Sequence, residues 1–371
     1  MPRRLIHPSE LQVGQPLPCD AYDGKGTLLL REGHVITSGG QIEKLMRQAL
    51  MADTLPDDAA KEAAARPSPL SFVLSARQRL QALFIAPSPS DFPAELSRVV
   101  GMVRRACRMN ADVALASILM CRDGPYTIRH AVNVAIACQV TGPAVKLAPA
   151  ELAATVAAAL TMNIGMFELQ QELHALDGPL TDAQQAAVRG HCERSVAMLR
   201  GRGVTDALWL EIVQDHHERP DGSGYPAGKA GDAIGLPAQL LSLADVYCAR
   251  VSCRDSRPAM LPNVALRWLF LNEGVAVNEH LAALFIRTLG VYPPGTGVRL
   301  RNGSIAVVTQ RGATGHMPKV ASITTHDGLR IGMPIRRRGD ESAHAVSEVV
   351  DLDDLQLAVG MEALWGADGA A

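Results

Sequence analysis

The stretch Asp215-His216-His217-Glu218-Arg219-Pro220-Asp221-Gly222-Ser223-Gly224-Tyr225-Pro226 decides the reading of this chain. Two adjacent histidines reach one metal ion only where the backbone turns. Pro220 supplies that turn, because proline lacks an amide donor and clashes with a preceding helical turn. Gly222 and Gly224 free the loop that follows to approach a ligand, Tyr225 offers a ring for stacking, and Pro226 stiffens the exit. Taken alone, the His216–His217 pair reads either as a ligand pair or as ordinary polar surface.

Working outward, Thr181-Asp182-Ala183-Gln184 is a capping-box pattern that predicts a helix running to Gly201 and Gly203, with His191 inside it. Pro237 stands where a first-turn proline opens the helix of Leu240 to Ser252. Asp245 lies in its apolar run Leu240-Leu241-Ser242-Leu243-Ala244-Asp245-Val246-Tyr247. A carboxylate buried there costs roughly several kcal/mol without a partner, which is either a metal or an arginine. His130 opens another apolar helix, Tyr126 to Ala135, where a lone histidine is either a ligand or a satisfied core residue. Five of the 11 histidines fall between His130 and His217.

The whole chain frames this block. Its 371 residues predict two or three domains. With 47% apolar and 20% charged residues the chain has enough apolar surface to fold. A net charge of −2 argues against a partner that is a nucleic-acid polymer or an anionic membrane. Aromatic residues at 4% favour helix over a β-sandwich. The N-terminus has no apolar core of a signal peptide, and no membrane insertion is expected, which predicts a cytoplasmic protein. The seven cysteines show no CxxC or zinc-ribbon spacing and read as reduced thiols.

Four segments follow. Residues 1–52 carry short strands around glycine turns and a helix near Gln41 to Leu50, a small α/β module. Residues 53–70, without apolar periodicity, form a linker. Residues 71–290 show helical spacing, as in Leu96, Val99, Val100 and Val103. Residues 291–371 contain an Asn302-Gly303 hairpin signal between Val298–Arg301 and Ser304–Val308, a β-rich appendage. The expected class is mainly α.

Together and in order, these segments resemble the HD-GYP family, the bacterial phosphodiesterase domains that hydrolyse cyclic di-GMP. The run HHERPDGSGYP carries most of the resemblance, supported by Gly178-Pro179-Leu180-Thr181 before His191 and by Ala244-Asp245-Val246-Tyr247. The resemblance implies an HD-domain helical bundle over about residues 95 to 290, holding two or three iron or manganese ions. It implies the metal ligands His130, His191, His216, His217 and Asp245, and a ligand-binding loop at Asp221, Gly222, Gly224, Tyr225 and Pro226 with Arg254 and Arg257 beyond it.

One turn departs from the family. Where the family has His-Asp-Ile-Gly-Lys, this chain has Met162-Asn163-Ile164-Gly165-Met166. A neutral amide does not match a carboxylate bridging two dications, and a thioether serves hard ions poorly where imidazole suits them. Met166 carries no charge, and no lysine lies between Lys146 and Lys229 to replace one. Tyr126 stands where a subgroup has a glutamate that recruits a third ion. The expectation is one divalent ion (iron, manganese or another) or none, with a two-metal site absent. Losing Lewis-acid stabilisation on the order of 4 kcal/mol slows hydrolysis about a thousandfold.

Met162, Asn163 and Met166 therefore mark a degenerate catalytic centre. Arg254 and Arg257 suit phosphate oxygens or surface carboxylates equally, and Asp255 between them opposes a phosphate. The resemblance implies a sensor of cyclic di-GMP, or a scaffold for diguanylate cyclases (GGDEF proteins) and other signalling proteins. The alternative is an active phosphodiesterase with a mononuclear site at His191, His216 and His217. A purely structural module is the third reading.

Overall fold

Apolar residues three and four positions apart bury one stripe of a helix, and nearly all such stripes in this chain lie between Pro69 and Pro293. The computed structural model describes residues 3–5, 11–17, 19–23, 25–38, 40–42, 51–53, 67–85, 91–174, 176, 178–253, 258–271, 277–312, 317–339 and 341–371. These form two units: Pro69–Pro293, and a second made of Met1–Ser68 with Pro294–Ala371.

The first unit is helical. Helix α1 spans Pro69–Ile85, α2 Phe92–Met109 and α3 Ala111–Met120. Asp91 caps α2 by accepting from the Ala94 amide, and Asn110 caps α3 by accepting from Asp112 and Val113. Leu96, Val99 and Val103 of α2 are buried as their spacing predicts, with Val100 packed partly against them. Helices α4 (Tyr126–Thr141) and α5 (Pro149–Thr161) are buried along most of their length. They supply the centre of the core, together with the helices Ala207–Asp215 and Leu236–Val251.

A 3₁₀ turn, Ile164–Met166, leads from α5 into α6 (Phe167–His174). The run Pro149–His174 is long and apolar enough on mean hydropathy to cross a membrane, but 56% of its most apolar window is buried inside the unit, as in a core helix.

The single helix expected from Thr181 to Gly201 is two. Its capping box forms as expected, with Thr181 and Gln184 exchanging hydrogen bonds. Helix α7 (Asp182–Arg189) then ends at Gly190, and α8 (His191–Gly201) begins. The reason is local. A Cβ at position 190 would sit 2.8 Å from the Arg194 guanidinium. That side chain reaches back across the break to the carbonyls of Ala187 and Gly165. Helices α9 (Ala207–Asp215), α10 (Leu236–Val251), α11 (Pro262–Phe270) and α12 (Glu279–Leu289) complete the unit. Pro237 lies in the first turn of α10, as its position foretells.

The second unit joins both ends of the chain. Strands β1 (Arg3–Leu5), β2 (Ala21–Tyr22), β3 (Leu28–Leu30) and β4 (Met51–Asp53) form a sheet of order β1-β4-β2-β3. The C-terminal segment adds β5 (Gly297–Leu300), β6 (Ile305–Gln310), β7 (Lys319–Thr324), β8 (Arg330–Arg338) and β9 (Val346–Val349). They form an antiparallel sheet of order β8-β7-β6-β5-β9, and α13 (Met361–Trp365) follows it. The hairpin forms across Asn302-Gly303, with Gly303 at φ +88°.

Leu11, Leu17, Ala21, Ile36 and Ile42 share a buried cluster with Ile335 of β8. The N-terminal module and C-terminal appendage, read from the sequence as separate pieces, thus share one core. The helix expected near Gln41 to Leu50 lies outside the described residues beyond Ile42, as does the linker between 54 and 66.

Candidate metal centre

Four helices deliver the chemistry-bearing side chains: α4 carries His130, α8 opens with His191, α9 ends at Asp215 just before His216 and His217, and α10 carries Asp245. Each imidazole of the buried pair His191 and His216 is anchored from behind. Nδ1–H of His191 donates to the Val188 carbonyl at 2.5 Å, and Nδ1–H of His216 donates to the Val213 carbonyl at 2.7 Å. A carbonyl only accepts, so both protons reside on Nδ1 and both Nε2 atoms present lone pairs. Those two Nε2 atoms face each other 3.2 Å apart.

His217 joins them, the ligand atoms of the three histidines lying within 4.8 Å of one another. Burial first, and then the neighbouring His216 ring, lowers the His191 pKa to about 3. Burial likewise lowers His216, and it lowers His217 well below the ordinary histidine value. Neutral imidazoles with converging lone pairs are what a cation requires. These residues fit one ion.

The second half of the expected ligand set behaves differently. His130 Nε2 donates to Asp245 Oδ1 at 2.6 Å, so the atom each would offer an ion is engaged by the other. His130 Nδ1 is buried without a hydrogen-bond partner. Burial acts to raise the Asp245 carboxyl. The hydrogen bond from His130 and the electrostatic influence of the surrounding imidazoles outweigh that and hold it far below the usual carboxylate range.

Met162 is 0% exposed and belongs to the apolar core, where its backbone carbonyl accepts from Ser195 Oγ at 2.7 Å. Asn163 Oδ1 is buried with no partner. Gly165 donates its amide to Ser195 Oγ at 3.0 Å, and a Cβ there would meet the Ser195 amide at 2.5 Å. The turn is a packed element resting on α8, with a thioether and an amide where a second ion needs imidazole and carboxylate. Tyr126 stacks between His130, at 5.4 Å between centroids, and His174, at 4.2 Å. That gives His174 a contact the sequence did not suggest, and it places an aromatic ring where a third ion would need an acid.

The loop after the histidines is built by Glu218, which the sequence reading passed over. Its buried carboxylate accepts from the amides of Ala227 at 2.6 Å and Lys229 at 2.9 Å. A tight loop's amides need an acceptor, but the sequence does not single out Glu218, since Asp221 and Asp232 lie nearer to those amides along the chain. Asp215, also missed and 1% exposed, pairs with Lys229 at 2.5 Å. Gly224 is required by space, since a Cβ there would lie 2.5 Å from the His217 carbonyl and the Arg219 amide. Gly222 adopts φ +77°, Asp221 accepts from Ser223, and the Tyr225-Pro226 peptide is cis. Tyr225 stacks on His217 at 4.7 Å between centroids, 29° from parallel, with the Arg189 guanidinium 5.8 Å from the ring centroid. The loop therefore lies directly on the histidine cluster. Arg254 and Arg257 lie outside the described residues.

Residues 102–277 match the HD domain family. The chain is 29% identical over 223 residues to the cyclic di-GMP phosphodiesterase PA4108 of Pseudomonas aeruginosa, covering 59% of this chain and 52% of that protein. The helical unit belongs to the HD-GYP family. This HD-GYP domain is also 31% identical over 158 residues to 3'3'-cGAMP-specific phosphodiesterase 1 of Vibrio cholerae, covering 42% of this chain and 36% of that protein. Similarity extends to the cyclic di-GMP phosphodiesterase response regulator RpfG of Xanthomonas campestris, 31% identical over 30% of each chain. The chain spans about half the length of the first of these curated relatives and about a third of the other two. Among solved structures, Bd1817, an HDG"Y"P protein from Bdellovibrio bacteriovorus, superposes with a TM-score of 0.51 at 15% identity, covering 76% of this chain and 98% of its own. That likeness shows the fold of the HD-GYP domain.

Proposed function

We propose that this chain is a degenerate HD-GYP module of cyclic-dinucleotide signalling. It holds one divalent ion at most, turns over cyclic di-GMP or a related dinucleotide weakly or not at all, and acts through the loop Asp221 to Pro226 as a nucleotide- or protein-binding surface. The observation that carries this is the placement of Met162: a side chain wholly inside the apolar core, at the position where the family presents a ligand histidine. Asn163 beside it offers a neutral oxygen, and His130 and Asp245 satisfy each other. The loop keeps its scaffold of Glu218, Gly224 and stacked Tyr225, which supports retained recognition without chemistry. Seven cysteines held as thiols rather than disulfides accord with a reducing, cytoplasmic setting.

The names of the relatives supply the ligand class, a cyclic dinucleotide, and partners of the diguanylate cyclase kind follow from the family resemblance. A divalent ion at the histidine cluster would supply Lewis acidity. His191 and His216 would hold it, their rings fixed by Val188 and Val213, while Tyr225 closes the cluster on one side. The converging histidines also favour a second reading, slow hydrolysis at a mononuclear site. Product formed over multiple turnovers and abolished by His216→Ala would select it.

The test compares the natural protein with the combined Met162→His, Asn163→Asp, Met166→Lys variant. Metal content, cyclic di-GMP binding and turnover are read side by side. The natural protein is expected to bind one ion or fewer per chain with negligible turnover, and the variant to gain both metal and rate. Two ions and brisk cleavage in the natural protein would overturn the proposal.

A further inference from the structure

Helix α7 ends on Arg189, and α8 opens on His191. In a continuous helix, residues two apart point to different faces. The break at Gly190 lets both meet one ring. The Arg189 guanidinium lies 5.8 Å from the Tyr225 ring centroid, and the His191 ring lies 6.4 Å from it, edge to face. Tyr225 in turn stacks on His217 at 4.7 Å, so Arg189 stands one ring removed from the histidine cluster. Arg189 is exposed, and among the described residues no carboxylate pairs with it and no acceptor takes its N–H groups. A cation in the last turn of α7 also suits the helix dipole, but that role needs charge alone and no aromatic contact. Contact with a ring face does not consume the guanidinium's five donors, which form a planar fork suited to phosphate.

We propose that Arg189 is a phosphate-binding residue, holding one phosphodiester of a cyclic dinucleotide beside Tyr225. This rests on the nucleotide-binding reading above and deepens it by naming a contact that the loop Asp221 to Pro226 does not itself provide. The only charged side chain of that loop is Asp221, an anion, and the turn Met162 to Met166 carries no cation. A phosphodiester bound there needs a positive partner from a neighbouring element, and Arg189 reaches the loop from α7. No internal carboxylate has to be displaced first. Two of its N–H groups can therefore engage the phosphate oxygens as a charge-assisted pair. On this reading the helix break at Gly190 aims a phosphate-binding side chain and the first cluster histidine at the same ring.

The test titrates cyclic di-GMP into the natural full chain, Arg189→Gln and Arg189→Lys, read by calorimetry. Arg189→Gln should weaken binding about tenfold to a hundredfold through lost charge-assisted hydrogen bonds. Its melting temperature without nucleotide should stay unchanged, because the side chain is exposed. Arg189→Lys should fall between the two, keeping the charge and losing the fork. The gap between the natural protein and Arg189→Gln should narrow as salt rises from about 50 mM to about 500 mM, since an exposed charge is screened. Equal affinity in these two proteins would overturn the inference and leave the nucleotide-binding reading standing. So would a loss that is insensitive to salt and not restored by lysine, which would assign Arg189 to holding Tyr225 in place. A natural protein that binds no cyclic di-GMP would overturn that reading and the inference with it.

Discussion

At the scale of single residues, buried neutral histidines make stability depend on pH. His191, His216 and His217 are all held below their ordinary pKa, chiefly by burial. In the metal-free protein the unfolded chain therefore takes up protons below about pH 6.5 that the folded chain refuses. Stability must fall as pH falls, by at most about 1.4 kcal/mol per pH unit for each histidine, with His191 contributing down to about pH 3. Asp245, whose carboxyl is depressed, adds a further loss only below about pH 4. Urea unfolding at pH 7.5 and 5.5 measures the effect, and equal midpoints would contradict it. Glu218→Ala should leave the amides of Ala227 and Lys229 without acceptors and cost about 2–4 kcal/mol, visible as a lower melting temperature and early proteolysis between Gly222 and Lys229. The His216–His217 pair and the GYP loop were legible because proline and glycine act locally. Glu218 and Asp215 were not, because their roles depend on what the folded chain brings alongside them.

At the scale of elements, the turn after α5 is held by α8. Ser195 of α8 donates to the Met162 carbonyl and accepts from the Gly165 amide, pinning that turn to the helix that begins with His191. Ser195→Ala removes both bonds inside a packed region and is expected to lower stability by about 2–3 kcal/mol. Ser195→Thr tests crowding instead, and a larger loss in the threonine variant than in alanine would show that volume, not bonding, governs the contact. The departure Met162-Asn163-Ile164-Gly165-Met166 was legible as a difference in side-chain chemistry. That Met162 has become part of the core was not, because a thioether is as suited to a core as to a ligand sphere until its neighbours are known. The break at Gly190 escaped notice for a similar reason. A capping box announces where a helix starts, whereas its early end depends on Arg194 folding back over the gap.

At the scale of the whole molecule, composition and periodicity led to the expectation of a mainly helical chain, and the fold is mainly helical. The union of the two chain ends was invisible, because each end shows only its own short strands and turns. Ile335, in β8, shares its buried cluster with Leu11, Leu17 and Ile36. Ile335→Ala should therefore cost about 2–4 kcal/mol and loosen the N-terminal strands together with the C-terminal sheet. Hydrogen exchange followed by mass spectrometry would detect this as joint loss of protection around residues 15–36 and 319–338. Protection lost in only one of the two segments would contradict a shared core. During synthesis the N-terminal strands leave the ribosome while the partner strands, beyond Pro293, are still untranslated. At about 5–20 residues per second they wait roughly 10 to 50 seconds. For that interval the apolar side chains they bury against Ile335 are left uncovered, a nascent-chain hazard that the helical unit, born complete in between, never faces.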